Sequence, residues 1–156
     1  MRVLVQRVTR GSCTVDGRAS GVIERGLVAL VGAAGEDTVE DVDWIARKVA
    51  SLRIFADEER LMNRDVREAG GAVLAIPQFT LYGDAWRGRR PDFTAAARPE
   101  VAEPLFERFC VTLASEGVRV ERGVFRAHMM IELVNDGPVT LMIESPPRGA
   151  GTEAAG

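Results

Sequence analysis

Apolar residues occur here in short runs separated by turn residues, and this pattern predicts a fold built mainly of short strands. Residues 12–15 and 19–23 flank Asp16-Gly17, a dipeptide that favours a tight hairpin turn because glycine tolerates positive φ. The runs at residues 27–31 and 73–81 are almost wholly apolar, which is typical of strands covered on both faces. A half-buried first strand is indicated by three residues that alternate imperfectly with polar ones, Val3, Val5 and Val8.

Two segments show a helical period instead. The first helix is predicted to open at Asp37, with Glu40 completing a capping pair. The second is predicted to end near Glu116, and its start stays open between Pro99 and Pro104, since a proline suits only the first turn. Their apolar faces consist of Val42, Ile45, Val49 and Leu52 in the first helix, and of Leu105, Phe106, Phe109, Cys110 and Leu113 in the second.

The C-terminal part predicts a last pair of strands. Met129, Ile131 and Leu133 follow a period of two, residues 135–138 predict a turn, and residues 139–143 would return beside the first strand of the pair. About eight strands and two helices predict one domain over residues 1–145. We expect an α+β fold, in which antiparallel sheets form a partly closed β-barrel-like core with two helices packed outside. Residues 146–156, rich in proline, glycine and alanine, predict a disordered tail.

Composition excludes several kinds of chemistry. His128 is the only histidine, which excludes an HExxH zinc site, and the sequence has no GxxxxGK(S/T) motif, which excludes a P-loop; Lys48 is the only lysine. We expect no metal and no other cofactor. A formal net charge of −3 and a pI of about 5.3 argue against nonspecific coating of nucleic acid, and we expect no DNA partner. The longest mostly apolar stretch, residues 26–35, falls short of the roughly 20 residues of a membrane helix. Together with only two cysteines, Cys13 and Cys110, this predicts a soluble, cytoplasmic protein without a membrane partner.

Two segments differ from plain strands. In residues 76–81, Pro77 removes a donor from the strand ladder, so a strand must start, bulge or lie at an edge there. Gln78 needs hydrogen-bond partners if it is buried. This segment is either a kinked core strand or the wall of a ligand pocket. Residues 135–140 are either a tight turn or a functional loop, and the isomer of Gly137-Pro138 does not follow from the local sequence.

Taken together, the two segments resemble a known family. PQFTL at 77–81 and NDGPVT at 135–140 resemble the paired motifs SQFTL and NxGPVT of the D-aminoacyl-tRNA deacylases. The resemblance covers nearly the whole chain to about Ser145. It extends to Gln6-Arg7-Val8, Met62-Asn63, Arg90-Pro91 followed by Phe93, and Gly123 and Phe125 before Met129.

This resemblance implies a homodimer whose active sites lie at the subunit interface. In the family the Gly-Pro bond is cis and its carbonyl oxygens enter the partner's pocket, so Gly137 and Pro138 would bind substrate and Arg7 would hold their loop. Such fixed backbone would block the side chain of an L-amino acid.

The resemblance also implies hydrolysis of the ester of D-aminoacyl-tRNA as chiral proofreading, in which the ribose 2′-OH helps to orient water. The backbone N–H groups of Phe79 and Thr80 would stabilise the oxyanion, while Gln78 shapes the wall. Thr80 as a covalent nucleophile is a less attractive alternative, because no histidine or lysine is assigned to activate it.

One departure from the family motif concerns the substrate. Pro77 stands where these deacylases have serine. The resemblance implies that this position binds substrate, so the change could alter how readily tRNA that carries glycine is hydrolysed. An editing hydrolase for glycyl or small L-aminoacyl esters is therefore an alternative, and a noncatalytic dimeric RNA-binding module is another. Arg87, Arg89 and Arg90 would either grip tRNA phosphates or form a solvated loop.

Overall fold

The fold is organised around its first strand, with which three other strands pair. The structure is a computed structural model that describes residues 1–147, so the predicted tail at 146–156 lies almost wholly outside the described residues. The elements in chain order are β1 (Arg2–Val15), β2 (Arg18–Ile23), β3 (Gly26–Gly32), α1 (Val39–Ser51), β4 (Phe55–Ala56), β5 (Met62–Arg64), β6 (Ala72–Pro77), a 3-10 helix (Phe79–Tyr82), α2 (Pro99–Ser115), β7 (Arg119–Arg122) and β8 (Met130–Glu144).

The main sheet has the order β2-β1-β3-β6-β7, and β8 lies along the other edge of β1. The predicted hairpin at Asp16-Gly17 is confirmed, and both of its turn residues have positive φ. Arg119 of β7 donates a hydrogen bond to the carbonyl of Val22 in β2, at 3.2 Å, which brings the two ends of the sheet together. The sheet thus nearly closes into a barrel with two helices, and the predicted α+β class is confirmed.

The sheet is mixed, because two of its pairings are parallel. β3 pairs with β6 and β6 pairs with β7 in parallel, whereas β1 is antiparallel to all three of its partners. Parallel neighbours need crossover connections. The two helices supply them, since α1 lies between β3 and β6 in the chain and α2 lies between β6 and β7.

The central strands bury both of their faces. On β6, Val73 and Ala75 belong to the larger core cluster, which both helices share, while Leu74 and Ile76 belong to a second cluster. The same alternation divides β3. The predicted strand 73–81 is therefore buried on both faces as far as Ile76, and it is too long, because β6 ends at Pro77 and a 3-10 helix follows.

Both predicted helices are present, with different starts. α1 begins at Val39, and the Asp41 carboxylate accepts hydrogen bonds from the backbone N–H and the hydroxyl of Thr38. The predicted capping by Asp37 is wrong, because that carboxylate instead binds the α-ammonium of Met1 at 2.6 Å. α2 begins at Pro99 and continues through Pro104, which lies exposed in its second turn.

A charged contact joins the two helices. The carboxylate of Asp43 on α1 accepts two hydrogen bonds from Arg108 on α2, at 2.8 and 2.7 Å, and one from the hydroxyl of Thr112 at 2.8 Å. The hydrogen bond from Arg108 is the largest cause that lowers the pKa of Asp43 from 3.8 to about 2. The ionised carboxylate therefore stabilises the packing of α1 on α2.

We predict that Asp43→Asn lowers the free energy of unfolding at neutral pH by about 1–2 kcal/mol, because the amide loses the charged contact with the half-exposed Arg108. Since the pKa is depressed in the folded state, the wild-type advantage is complete above pH 3.8 and is lost as the pH falls through about 2. Urea unfolding over this range measures it. Glu24→Gln, at an exposed turn, is the control, and equal stability of Asp43→Asn and wild type at neutral pH would contradict the assignment.

Candidate functional site

A cleft of about 640 Å³ opens where β6 ends. The ends of β3 and β6, the start of α2 and residues 123–129 surround it. Its lining is predominantly apolar, and four of its residues are phenylalanines, Phe79, Phe93, Phe106 and Phe125. A concave, apolar site with a few polar groups at one end is typical of a ligand pocket.

Pro77, Gln78 and Phe79 line the cleft, as expected for a pocket wall rather than a kinked core strand. Pro77 ends the strand, and the backbone N–H of Gln78 makes one more ladder bond, to the carbonyl of Val31 at 2.8 Å. The Gln78 side chain donates a hydrogen bond to the hydroxyl of Thr80. Thr80 itself is exposed and does not line the cleft.

The 3-10 helix that follows presents unpaired backbone donors at this edge. The N–H groups of Phe79 and Thr80 stand at its start, where the geometry of a helix leaves donors without an intrahelical acceptor. Among residues 1–147, neither N–H has a hydrogen-bond acceptor. Two adjacent free donors beside an apolar cleft can bind an oxygen that carries negative charge.

The predicted turn at residues 135–138 is wrong, because β8 does not reverse there. Both halves of β8 pair with β1, and the register runs from Gln6 opposite Thr140 to Val8 opposite Asn135. Four residues of β8, 136–139, therefore face the single residue Arg7 and bulge out of the ladder. We call residues 136–139 the bulge loop.

The side chain of Asn135 closes the base of the bulge loop. Its amide nitrogen donates to the carbonyl of Arg7 at 3.0 Å and to that of Val139 at 3.1 Å. The Gly137-Pro138 peptide is cis, as the resemblance implies, and both residues are exposed. Neither of them lines the cleft of their own chain.

Arg7 lies beneath the bulge loop and is not a solvated strand arginine, since its side chain is only 14% exposed. Its Nε lies 3.2 Å from the carbonyl of Asp136 and 3.0 Å from the carboxylate of the same residue. Its Nη1 donates to the carbonyl of Ile54 at 2.6 Å. Arg7 thus ties the bulge loop to the segment before β4, although its contact is with Asp136 and not with Gly137 or Pro138.

Residues 84–92, which we call the arginine loop, directly precede Phe93, a residue of the cleft lining. Asp84 and Asp92 close its base with two backbone hydrogen bonds of 2.7 and 2.8 Å, and the ring of Phe93 packs edge-on against Phe79 at 5.2 Å between centroids. The indole of Trp86 in this loop is 88% exposed. Within the described chain, Arg87, Arg89 and Arg90 have no acidic side chain within 4.0 Å of their charged groups.

Sequence reasoning missed several residues of the cleft. The helical pattern predicts only a core position for Phe106, and no motif singles out Arg126, although both residues line the cleft. The family resemblance includes the neighbouring Gly123 and Phe125, and these two residues were the sequence feature that could have indicated this segment. No group of three or more potential metal-ligating side chains lies close together in residues 1–147, and none of the helices described there is long and apolar enough to cross a membrane.

Comparison with known proteins identifies the family. Residues 4–144 match the family model described as D-Tyr-tRNA(Tyr) deacylase, and the chain belongs to this family. The D-aminoacyl-tRNA deacylase of Symbiobacterium thermophilum is 57% identical over 93% of this chain and 96% of that protein. The enzyme of Koribacter versatilis is 54% identical over 93% of this chain and 97% of that protein.

Two solved structures share the fold. One, described as c-Myc DNA Unwinding Element Binding Protein, is 37% identical, covers 94% of this chain and 100% of its own, and gives a TM-score of 0.87. Another, described as a probable eukaryotic D-amino acid tRNA deacylase, is 20% identical and covers 92% of this chain and 98% of its own, with a TM-score of 0.79. At this identity the likeness is one of fold alone.

We predict that Asn135→Ala loosens the bulge loop. Losing two hydrogen bonds of about 1 kcal/mol each should speed hydrogen–deuterium exchange of peptides that cover residues 136–139 about 30-fold. Asn63→Ala, which removes the other asparagine of the chain, is the control and should leave these peptides unchanged. Unaltered exchange in Asn135→Ala would mean that the side chain does not hold the loop.

Proposed function

We propose that this protein hydrolyses the ester bond of D-aminoacyl-tRNA and releases a free D-amino acid and tRNA. Family membership supports the reaction, and the observation that carries its mechanism is the pair of free N–H groups beside the cleft. The reaction needs little side-chain chemistry, because an aminoacyl ester is already activated. The protein has to position it and stabilise the charge that develops.

Water supplies the nucleophile in this mechanism. Its oxygen adds to the ester carbonyl, whose oxygen becomes negatively charged and accepts hydrogen bonds from the N–H groups of Phe79 and Thr80. The bond to the ribose oxygen then breaks, and that oxygen takes up the proton that the water loses, with the neighbouring 2′-OH as the relay. The hydroxyl of Thr80 accepts a hydrogen bond from the Gln78 amide, a donor that cannot take up the hydroxyl proton, and no histidine or lysine is assigned as its base, which favours a role for the Thr80 backbone.

The chirality filter in this proposal comes from a second copy of the chain. Gly137 and Pro138 are exposed and lie outside their own cleft, so they reach a substrate only in a partner's cleft. The strand that carries them also exposes apolar side chains, Met130, Val134, Leu141 and Met142, that a homodimer would cover. Fixed backbone would then occupy the space that the side chain of an L-amino acid needs.

The arginine loop supplies a contact for the tRNA backbone. Arg87, Arg89 and Arg90 have no acidic partner in the described part of the chain, and guanidinium groups suit phosphate oxygens. Such a contact with phosphates positions the tRNA and does not depend on its base sequence. We place the reaction in the cytoplasm, where tRNA is charged, with no DNA partner.

Purified protein should release tyrosine from D-tyrosyl-tRNA and act on L-tyrosyl-tRNA about 100-fold more slowly or not at all, because a steric block discriminates more strongly than a lost apolar contact. Release of labelled amino acid under single-turnover conditions measures both rates. Equal rates on the two esters, or binding of D-tyrosyl-tRNA without release, would contradict the proposal. The second result would support a noncatalytic RNA-binding module.

Pro77 favours a second candidate substrate, because it lines the cleft where the family has serine. An editing hydrolase for glycyl or small L-aminoacyl-tRNA would cleave glycyl- and L-alanyl-tRNA faster than D-tyrosyl-tRNA. Comparing these three esters in the wild type and in Pro77→Ser decides between the two functions. The leading proposal requires that D-tyrosyl-tRNA remains a good substrate of both proteins.

We predict that Gly137→Ala lowers kcat/KM on D-tyrosyl-tRNA about 100-fold, because a small displacement of a positioning group has an effect of this size. A Cβ at Gly137 would lie 2.5 Å from Oδ1 of Asn135, so either the Asn135 amide that closes the base of the bulge loop or the loop itself must shift. Gly35→Ala is the matched control, since a Cβ there has no neighbour within 4 Å. Wild-type kinetics of a folded Gly137→Ala protein would remove the bulge loop from the site.

A further inference from the structure

Arg126 differs in charge from the rest of the cleft lining. Among the residues of the described chain that line the cleft, its side chain is the one that is permanently charged, and the lining contains no aspartate and no glutamate. His128, the other ionisable side chain of the lining, is exposed beside it. An apolar cleft with a cation at its edge suits a ligand that has a flat or apolar body and an adjoining negative charge.

Hydrogen bonds of the backbone hold Arg126 in place while its side chain stays free. The N–H of Ala127 donates to the carbonyl of Val124 at 3.3 Å, which closes a turn around Arg126, and the N–H of Gly123 donates to Ala75 on β6 at 2.8 Å. The side chain of Arg126 is exposed and has no acidic partner within 4.0 Å in residues 1–147. Its guanidinium is therefore available to an anion.

The backbone at this position favours a different residue. Arg126 has a φ of +63°, in the left-handed region that glycine adopts without strain. A side chain in such a conformation at the edge of a pocket points to a role for the side chain itself. Because glycine fits the turn better, removing the arginine tests its function without harming the fold.

We infer that Arg126 binds the phosphate on the 5′ side of the terminal nucleotide of the tRNA substrate. This inference rests on the proposed function. The ester and that phosphate belong to the same nucleotide, since the ester is on the ribose 2′ or 3′ oxygen and the phosphate is on the 5′ oxygen. Phe79, whose N–H would meet the ester, and Arg126 line one cleft, so a single nucleotide can contact both. The planar guanidinium of arginine binds phosphate oxygens through charge-assisted hydrogen bonds.

Two substrates that differ in this phosphate test the inference. D-Tyrosyl-tRNA carries the phosphate, whereas the 2′(3′)-D-tyrosyl ester of adenosine lacks it. Arg126→Gln and Arg126→Gly should lower kcat/KM on D-tyrosyl-tRNA about tenfold or more and leave kcat/KM on the adenosine ester unchanged. Arg126→Lys should recover part of the loss, and the salt dependence of log kcat/KM on tRNA should become shallower by about 0.7 in both neutral variants.

Arg60 provides a matched control. It is an exposed arginine with a φ of +66°, it lies in the β4–β5 connection, and it does not line the cleft. Arg60→Gln should behave as the wild type on both substrates. Equal loss on both substrates in the Arg126 variants, or no loss on either, would overturn the inference while the proposed function stands. A wild-type protein that cleaves neither ester overturns the proposed function and the inference together.

Discussion

The pairing of β8 with β1 is the contact on which the site depends. The two strands pair on both sides of Arg7, where four residues of β8 face one residue of β1, so the bulge loop has to leave the sheet. Asn135 and Arg7 then fix that loop through the carbonyls at its base. A rigid sheet therefore presents a short piece of backbone outward, where only another molecule can use it.

The other half of the site depends on where β6 stops. Pro77 ends the strand after both faces of β6 have been buried, and the chain turns into a 3-10 helix whose first N–H groups lack acceptors. Phenylalanines from neighbouring segments, Phe93, Phe106 and Phe125, line the cleft together with Phe79. In the proposed mechanism, these backbone donors and the reactivity of the ester replace side-chain acids and bases, which suits a chain with one histidine and one lysine.

Local sequence predicts those parts of the structure that local physics determines. Both residues of Asp16-Gly17 have the positive φ that this hairpin turn requires. Pro77 predicts that the strand is interrupted there, whereas the residues alone leave open whether 77–79 are a kinked core strand or a pocket wall, and the family resemblance favours the wall. Asn135-Asp136-Gly137-Pro138 has the same turn chemistry, but its outcome depends on non-local pairing with β1, which keeps β8 running in one direction. Arg126 was missed for a similar reason, since its place in the cleft depends on how residues 123–129 pack over the end of β6.

We propose that each active site combines the cleft of one chain with the bulge loop of another. Mixing two impaired variants checks this proposal. Gly137→Ala keeps the cleft but disturbs the loop, and Phe79→Glu keeps the loop but places a carboxylate beside the developing oxyanion. After the subunits exchange, a mixed dimer contains one cleft and one loop that are both intact. We expect deacylation of D-tyrosyl-tRNA in the mixture to rise well above the rate of either variant alone, of which Gly137→Ala is about 100-fold below the wild type. A mixture that forms mixed dimers without such a rise would overturn the proposal.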